Sequence, residues 1–238
     1  MPRIAIRNPN RTILIDDNYE NLVFRAKYTA FFAQPALGQL IIRTQDLDVP
    51  IINEIPPVLA LRVSSPGTAT GHILRTKIIG STLRVTVYTN ISVDTGDCTF
   101  EVYAFDTPQA QSTGSGVVIL RNKSTGRVTF DSDLRYLRVV DSISGTSATS
   151  RQYDNTRKHA IVMGRLQYSV TTDVIYLESS GAWRWISDWN YITTRWASGL
   201  LNVVNMRKQV RREADSGSGG GSWSQSGFTL FVVDVTGF

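Results

Sequence analysis

Tryptophan is the residue type in this sequence with the clearest potential for binding chemistry, and all five tryptophans lie between residues 183 and 223. Aromatic faces stack on sugars and nucleobases and attract cations, but tryptophan is also enriched at the centres of protein interfaces. Strand-like alternation would place residues 183 and 185 on one side of the chain and Arg184 on the other. We therefore predict an interface or a bulky core in preference to a glycan platform. The candidate residues are Trp183, Trp185, Trp189 and Trp196.

A short basic run supplies the second candidate site. The segment 207–212 reads Arg-Lys-Gln-Val-Arg-Arg and precedes the glycine- and serine-rich stretch 217–222. Such a run could contact phosphate or lipopolysaccharide, but a nucleic-acid face normally carries more positive charge with interleaved aromatics. We predict an exposed loop or hairpin tip that is solvated or faces an acidic protein, with no nucleic-acid partner. The residues concerned are Arg207, Lys208, Arg211 and Arg212.

Few residues favour catalysis or metal binding. The single cysteine, Cys98, excludes an intramolecular disulfide and a Cys-rich metal site. The two histidines leave little room for a His-built zinc site or a catalytic triad. Calcium needs six or more oxygen ligands, and aspartates after strands are more typical of Asx turns. We therefore predict no catalytic residue, metal or cofactor, although paired carboxylates of a polysaccharide hydrolase remain an alternative. The aspartates weighed as ligands are Asp16, Asp17, Asp131 and Asp133.

The pattern of the whole chain predicts an all-β protein. Its 238 residues are 42% hydrophobic and 19% charged, with a mean hydropathy of −0.11, which is typical of globular domains. Segments such as 81–88 and 228–235 alternate and are rich in Val, Thr and aromatics. Turn sequences separate them, as in a β-sandwich or barrel. The sequence shows no apolar run long enough for a membrane span and no signal peptide at its start.

Two halves of the sequence resemble each other, which predicts an internal duplication. Apolar positions match apolar positions in the same order along both halves, although chance similarity of two amphipathic hairpins is the alternative. The end strands also look alike. The matching segments are Ile4–Asn8 with Val118–Asn122, Ile13–Asp16 with Val128–Asp131, Leu22 with Leu137, and Thr99–Phe105 with Thr229–Val235.

The duplication leads to a domain division. We predict a first β-sandwich-like domain over residues 1–106, a linker over 107–115 and a similar second domain over 116–238. The second domain would be enlarged by a Trp-rich and Gly/Ser-rich insertion at about 182–222. The net charge of +5 falls in this half, where 15 Lys and Arg face 10 Asp and Glu. Phe130 and Leu137 are expected to be buried core residues.

One segment of the second half resembles minor tail and tail-tip proteins of tailed bacteriophages. Those proteins often carry a strand, a reversal and then a motif with Phe-Asp-Ser followed by Tyr or Pro, Leu or Met, and Arg. The residues that match are Val128, Phe130, Asp131, Ser132, Tyr136, Leu137 and Arg138. The resemblance covers about 25 residues of each half, with a looser match in the first, and includes no catalytic motif.

The resemblance implies a virion structural protein of a tail tip or baseplate, built from β-sandwich modules and assembled in the host cytoplasm. It would bind other phage tail proteins and form a homo-oligomer, with a trimer favoured, and contact with a host-surface glycan would be an additional role. Two alternatives stay open from the residues themselves: a carbohydrate-binding module and a surface-polysaccharide hydrolase. We expect a structural protein rather than an enzyme.

Overall fold

The residues described by the computed structural model form an all-β chain with a single 3₁₀ turn, Pro108–Ala110. These residues are 5–7, 13–16, 21–33, 41–52, 55–64, 69–91, 97–110, 112, 114–165, 168–177, 182–214 and 221–238. At some strand positions only the backbone is described. The expected all-β class is confirmed. Among these residues no helix has the length and apolar character needed to cross a membrane.

Eighteen strands lie in the described residues. Those of the first half are β1 (Ala5–Arg7), β2 (Ile13–Asp16), β3 (Val23–Phe32), β4 (Ile41–Pro50), β5 (Val58–Ser64), β6 (Thr70–Ile79), β7 (Thr82–Ile91) and β8 (Cys98–Asp106). Those of the second half are β9 (Ile119–Arg121), β10 (Val128–Asp131), β11 (Arg138–Gly145), β12 (Thr149–Gln152), β13 (His159–Arg165), β14 (Tyr168–Leu177), β15 (Ala182–Ala197), β16 (Leu200–Ala214), β17 (Gly221–Gln225) and β18 (Phe228–Asp234).

The first half consists of two three-stranded groups around one apolar cluster. Strand β8 pairs with β3 and β5, while β7 pairs with β4 and β6, all antiparallel. Alternate residues of β8 point inward, so Phe100, Val102 and Ala104 are completely buried. They share a cluster with Val85 and Val87 of β7. Alternation of period two therefore builds this core, as the sequence pattern predicts.

The second half has an apolar cluster of its own. Strand β18 pairs with β11 and β13, and β16 pairs with β12 and β15. Phe228, Leu230 and Val232 of β18 are buried and pack with Leu201 and Val203 of β16. Both halves also begin with a small antiparallel hairpin, β1–β2 in the first and β9–β10 in the second.

The strand registers of the two halves correspond closely. Val23 lies opposite Asp106 and Arg138 lies opposite Asp234, and in each pair of strands the register shifts two residues further on. This correspondence aligns β8 with β18 so that Phe100 matches Phe228. The sequence alignment of the two end strands matched Thr99 with Thr229, which differs from this register by two residues. A slip of two preserves which residues face inward, so alternation alone could not reveal it.

Strands of both halves join directly at a seam. Ala60 of β5 lies opposite Val162 of β13, and Gly71 of β6 lies opposite Thr194 of β15. Both pairings are antiparallel, and fourteen of the described strands thereby form one hydrogen-bonded network. A third apolar cluster lies along the seam, and its buried members are Ala60, Tyr103, Phe105, Ala160, Val233 and Val235.

The second half carries additional strands that we call the arm: β14, β17, residues 182–190 of β15 and residues 205–214 of β16. The strands of the arm are ordered β17–β14–β15–β16. The predicted exposed loop at 207–212 is wrong, because these residues are in β16 and pair with β15 along its whole length. Long-range pairing overrides the local charge pattern here. The rest of the glycine-rich stretch, up to residue 220, lies outside the described residues, and 221 begins β17.

Candidate functional site

Residues 128–138 form a compact structure that we call the corner. The Asp131 carboxylate accepts the N–H of Asp133 at 3.0 Å, as in an Asx turn. The Tyr136 hydroxyl accepts the Asp131 N–H at 2.5 Å and donates to the Asp131 carbonyl at 2.9 Å. The Phe130 ring stacks on Tyr136 with centroids 5.0 Å apart. Each of these side chains therefore helps to hold a chain reversal.

The corner also joins the two halves of the chain. The Leu137 N–H donates to the Leu22 carbonyl at 2.8 Å, and the Phe24 N–H donates to the Arg135 carbonyl at 2.7 Å. Leu137 packs against the seam cluster but is half-buried rather than fully buried, and Phe130 is also half-buried. Both positions lie at the edge of the core because they belong to a connection between the halves, so the expectation of full burial is wrong for both.

Buried aspartates end the two corresponding strands β8 and β18. Asp106 is 3% exposed and pairs with Arg25 at 2.9 Å, while Asp234 is 1% exposed and pairs with Arg157 at 2.8 Å. Burial raises the pKa of Asp234, but hydrogen bonds from Thr236 and the pairing with arginine outweigh it and keep the pKa below its ordinary value. Charged groups that are buried in this way must be paired, so these contacts fix the ends of both strands.

Trp196 is the one predicted tryptophan whose side chain the structure describes, and it is 2% exposed. Its ring stacks on His159 at 5.6 Å and meets Tyr153 edge to face at 5.5 Å. The guanidinium of Arg62, from the first half, lies 5.7 Å from the ring centroid. A ring enclosed in this way cannot contact a glycan, so Trp196 belongs to the core of the chain.

The groups around Trp196 carry perturbed pKa values. Burial lowers the pKa of His159, because a charged imidazole would lose its hydration there. Burial and the hydrogen bond to Asp141 raise the pKa of the Tyr153 hydroxyl, which donates to that carboxylate at 2.7 Å. The Arg62 guanidinium donates to the His159 carbonyl at 2.9 Å. The sequence analysis did not associate Trp196 with Tyr153, His159 or Arg62, because these residues are distant in the sequence and only the folded chain brings them together.

The other predicted residues meet in the arm. Backbone pairing places Trp189 opposite Lys208, and Trp185 opposite Arg212. The sequence analysis treated the tryptophans and the basic run as separate features, whereas adjacent strands bring them into one register. The side chains of Trp183, Trp185, Trp189, Arg207, Lys208, Arg211 and Arg212 lie outside what the structure describes.

An apolar groove of about 770 Å³ lies at the seam on the first-half side. Strands β5, β6, β7 and β13 and the segment before β5 form its walls. The lining residues are Pro56, Pro57, Val58, Leu59, Ile73, Thr76, Ile78, Leu83, Val162 and Met163. None of these side chains is charged, so the groove is suited to an apolar group.

The described residues contain no group of three or more His, Cys, Asp and Glu side chains arranged to hold a metal ion. Asp131 is 1% exposed, and its carboxylate accepts a hydrogen bond from Ser112 at 2.5 Å. Asp16 and Asp17 have no described side chain. Cys98 is completely buried, and burial raises the pKa of its thiol to about 11.

Comparisons of the chain with models of known protein families, with curated proteins and with solved structures gave no match.

Proposed function

We propose that the chain is a structural subunit of a bacteriophage tail tip or baseplate. The corner is the observation that carries this proposal, since its residues are those that resemble phage tail proteins. Within the corner, Phe130, Asp131 and Tyr136 make contacts that maintain shape, and Leu137 connects the halves. A shared segment with this role is what a structural protein would retain.

We also propose that the chain arose by duplication of one β-sandwich-like module. The paired strands β3–β8–β5 correspond to β11–β18–β13, and β4–β7–β6 correspond to β12–β16–β15. The equivalent register shifts and the buried aspartates at equivalent strand ends support common descent. The antiparallel pairings of β5 with β13 and of β6 with β15 are compatible with a local twofold relation between two such modules.

Two surfaces are suited to contacts between subunits. One is the arm, in which tryptophans and basic residues share a register. The other surrounds the β6–β7 turn, where Ile78 and Ile79 are 55% and 43% exposed. The Ile51 N–H donates to the Ser81 carbonyl at this turn, and the exposed Ile52 follows it. Exposed apolar patches of this kind mark interaction sites, and we propose a homotrimer that also binds other tail proteins.

Mass spectrometry of purified phage particles tests the proposed function. We expect peptides of the chain in particles banded by density and a constant number of copies per particle. For the matched comparison, phage that lacks the gene is complemented in trans. The wild-type chain is the control, and Tyr136→Ala is the test variant. The wild-type chain should restore tails, whereas Tyr136→Ala, which removes the two hydrogen bonds between Tyr136 and Asp131, should restore few. Particles that lack the chain but infect normally would refute the proposal.

A glycan-binding module is the second candidate, because the arm brings aromatic and basic residues into adjacent strands. Titration with host-surface polysaccharide, followed by tryptophan fluorescence, distinguishes the two functions. A structural subunit should show no saturable quenching. Saturable binding that Trp189→Ala and Trp223→Ala both weaken would favour the glycan module instead, because these two positions lie in one cross-strand row of the arm.

A further inference from the structure

The register of the arm divides its residues between the two faces of one sheet. Strand β14 pairs with β15 and β17, and β15 pairs with β16, without a register shift within the arm. Residues directly opposite each other share a face, and successive residues of a strand alternate between the faces. One face, which we call the aromatic face, carries the tryptophans of the arm: Trp183, Trp185, Trp189 and Trp223. The acidic residues of the arm strands fall on the other face: Asp173, Asp188 and Glu213.

The aromatic face continues into the buried part of the molecule. Tyr191, the next residue of this face toward the body, is 6% exposed. Its ring centroid lies 4.6 Å from that of His72 and 5.7 Å from that of Tyr88. The opposite face is open to solvent at four described positions: Thr171, Asn190, Ser222 and Ser224. The aromatic face is therefore the one whose composition calls for cover.

Both outer strands of the arm have an open edge. Among the described strands, β17 pairs only with β14, and residues 205–214 of β16 pair only with β15. Antiparallel pairing throughout the arm makes β16 and β17 run in opposite directions. An open edge is a template for pairing with a strand of another chain. On the aromatic face, the β16 edge carries Lys208 and Arg212 and the β17 edge carries Trp223, and cations are attracted to indole rings.

We propose that three copies of the chain join through their arms, with β16 of each copy pairing with β17 of the next. The inference rests on the homotrimeric tail subunit proposed above, and it names the surface that forms the trimer. Each arm contributes four strands in alternating directions, so three arms close a ring of twelve antiparallel strands. The contact is heterologous and closes by rotation, which leaves no open edge in the ring. The aromatic faces cover one another inside it.

The size of the tryptophans favours three copies over two or four. A barrel of about eight strands, which two arms would form, has an interior just wide enough for ordinary side chains, whereas about sixteen strands enclose a water-filled channel. Twelve strands lie between these limits and suit a face with four tryptophans. A tryptophan buries about 150–250 Å², so each copy supplies roughly 600–1,000 Å², against about 800 Å² per partner in a standard interface.

Sedimentation of the full chain tests this contact, with a matched pair of variants on adjacent residues of β14. The wild-type chain should sediment as a trimer. Val170→Lys places a charge on the aromatic face and should weaken association at least about tenfold, because the charge would be buried without a partner. Thr171→Lys places the same charge on the exposed opposite face and should change association less than about threefold. Circular dichroism confirms that both variants fold.

Two outcomes of sedimentation would overturn the proposal. One is a monomeric wild-type chain. The other is a trimer that a folded Val170→Lys chain retains, which would assign the trimer to a different surface.

Disulfide cross-linking tests the joint itself and decides the matter even if Val170→Lys does not fold. Ser222 and Gln209 share a cross-strand row at opposite edges of the arm, so they lie about 14 Å apart in one chain, too far for a disulfide. Oxidation of the double variant Ser222→Cys with Gln209→Cys should therefore link different copies into covalent trimers. Because strands of a closed ring are staggered, Arg207→Cys and Arg211→Cys are also paired with Ser222→Cys.

The single-cysteine variants are the controls, and they should form no covalent oligomer. Linkage of a single-cysteine variant to itself would show that identical edges meet, and it would overturn the proposal. Absence of linkage at all three β16 positions would do the same. These measurements use the isolated chain, whereas the tail function is tested by the presence of the chain in particles, so the two failures are distinguishable.

Discussion

Replacing either of two buried phenylalanines should destabilise the chain to a similar degree. Phe100 of β8 is 0% exposed and Phe228 of β18 is 2% exposed. Truncation of a buried phenylalanine to alanine costs about 3–5 kcal/mol, because apolar contact is lost and a cavity is left. For a chain of this length, such a loss lowers Tm by roughly 6–20 °C.

The two sites also report on how the halves are coupled. Phe100 and Phe228 belong to different apolar clusters, so the effects of Phe100→Ala and Phe228→Ala should add within about 0.5 kcal/mol. The combined loss of about 6–10 kcal/mol is comparable with the stability of a typical domain, about 5–15 kcal/mol, so additivity is measured under conditions in which the double variant still folds. The seam should keep unfolding of each single variant in one transition.

Urea unfolding followed by circular dichroism measures these quantities. Phe31→Ala is the matched control, since Phe31 is 57% exposed on β3 and its loss should cost less than about 1 kcal/mol. A cost below about 1.5 kcal/mol at either buried site would refute the core assignment. Two separate transitions in a single variant would show that the seam does not couple the halves.

Three further outcomes are expected. In Gly71→Ala, the new Cβ would lie 2.1 Å from the Phe100 ring and 2.6 Å from the Tyr88 carbonyl oxygen. The free energy of unfolding, measured by thermal melts, should therefore fall by about 3 kcal/mol. An unchanged Tm would contradict this close approach. Burial lowers the pKa of His159, so the unfolded chain binds more protons and the free energy of unfolding should fall as pH drops below about 6.5. The free energy of unfolding of His159→Phe should depend less on pH below about 6.5 than that of the wild-type chain. The same pH dependence in both chains would refute the lowered pKa of His159. Burial raises the pKa of the Cys98 thiol to about 11. Iodoacetamide should therefore label the folded chain at pH 8 far more slowly than the unfolded chain, with the labelled fraction measured by mass spectrometry. Equal labelling rates would contradict the burial of Cys98.

The period-two pattern was sufficient to predict the fold class and several local elements. The paired strands β1–β2 and β9–β10 lie within the segments that the sequence alignment matched, because alternation and turn residues are local signals. The Asx turn at Asp131 is also local and was predicted correctly. Features of this kind depend on neighbouring residues alone, and they follow directly from the order of residue types.

Features that depend on distant pairing could not be predicted in this way. The basic run at 207–212 resembles a loop in composition, yet its partner strand begins 25 residues earlier at Ala182 and holds it in a sheet. Arg62 and His159, which belong to other strands, contact the Trp196 ring and help to enclose it in the core. The sequence alignment of the two end strands differs by two residues from the one that strand pairing gives, and alternation cannot distinguish them because it is unchanged by such a shift.

Electron cryomicroscopy of the intact phage particle tests the central claim most directly. The account predicts density at the distal end of the tail that fits the fourteen-stranded network, in a number of copies that is a multiple of three. A particle whose tail contains no such density, or contains a copy number that is not a multiple of three, would contradict the proposed trimeric tail subunit.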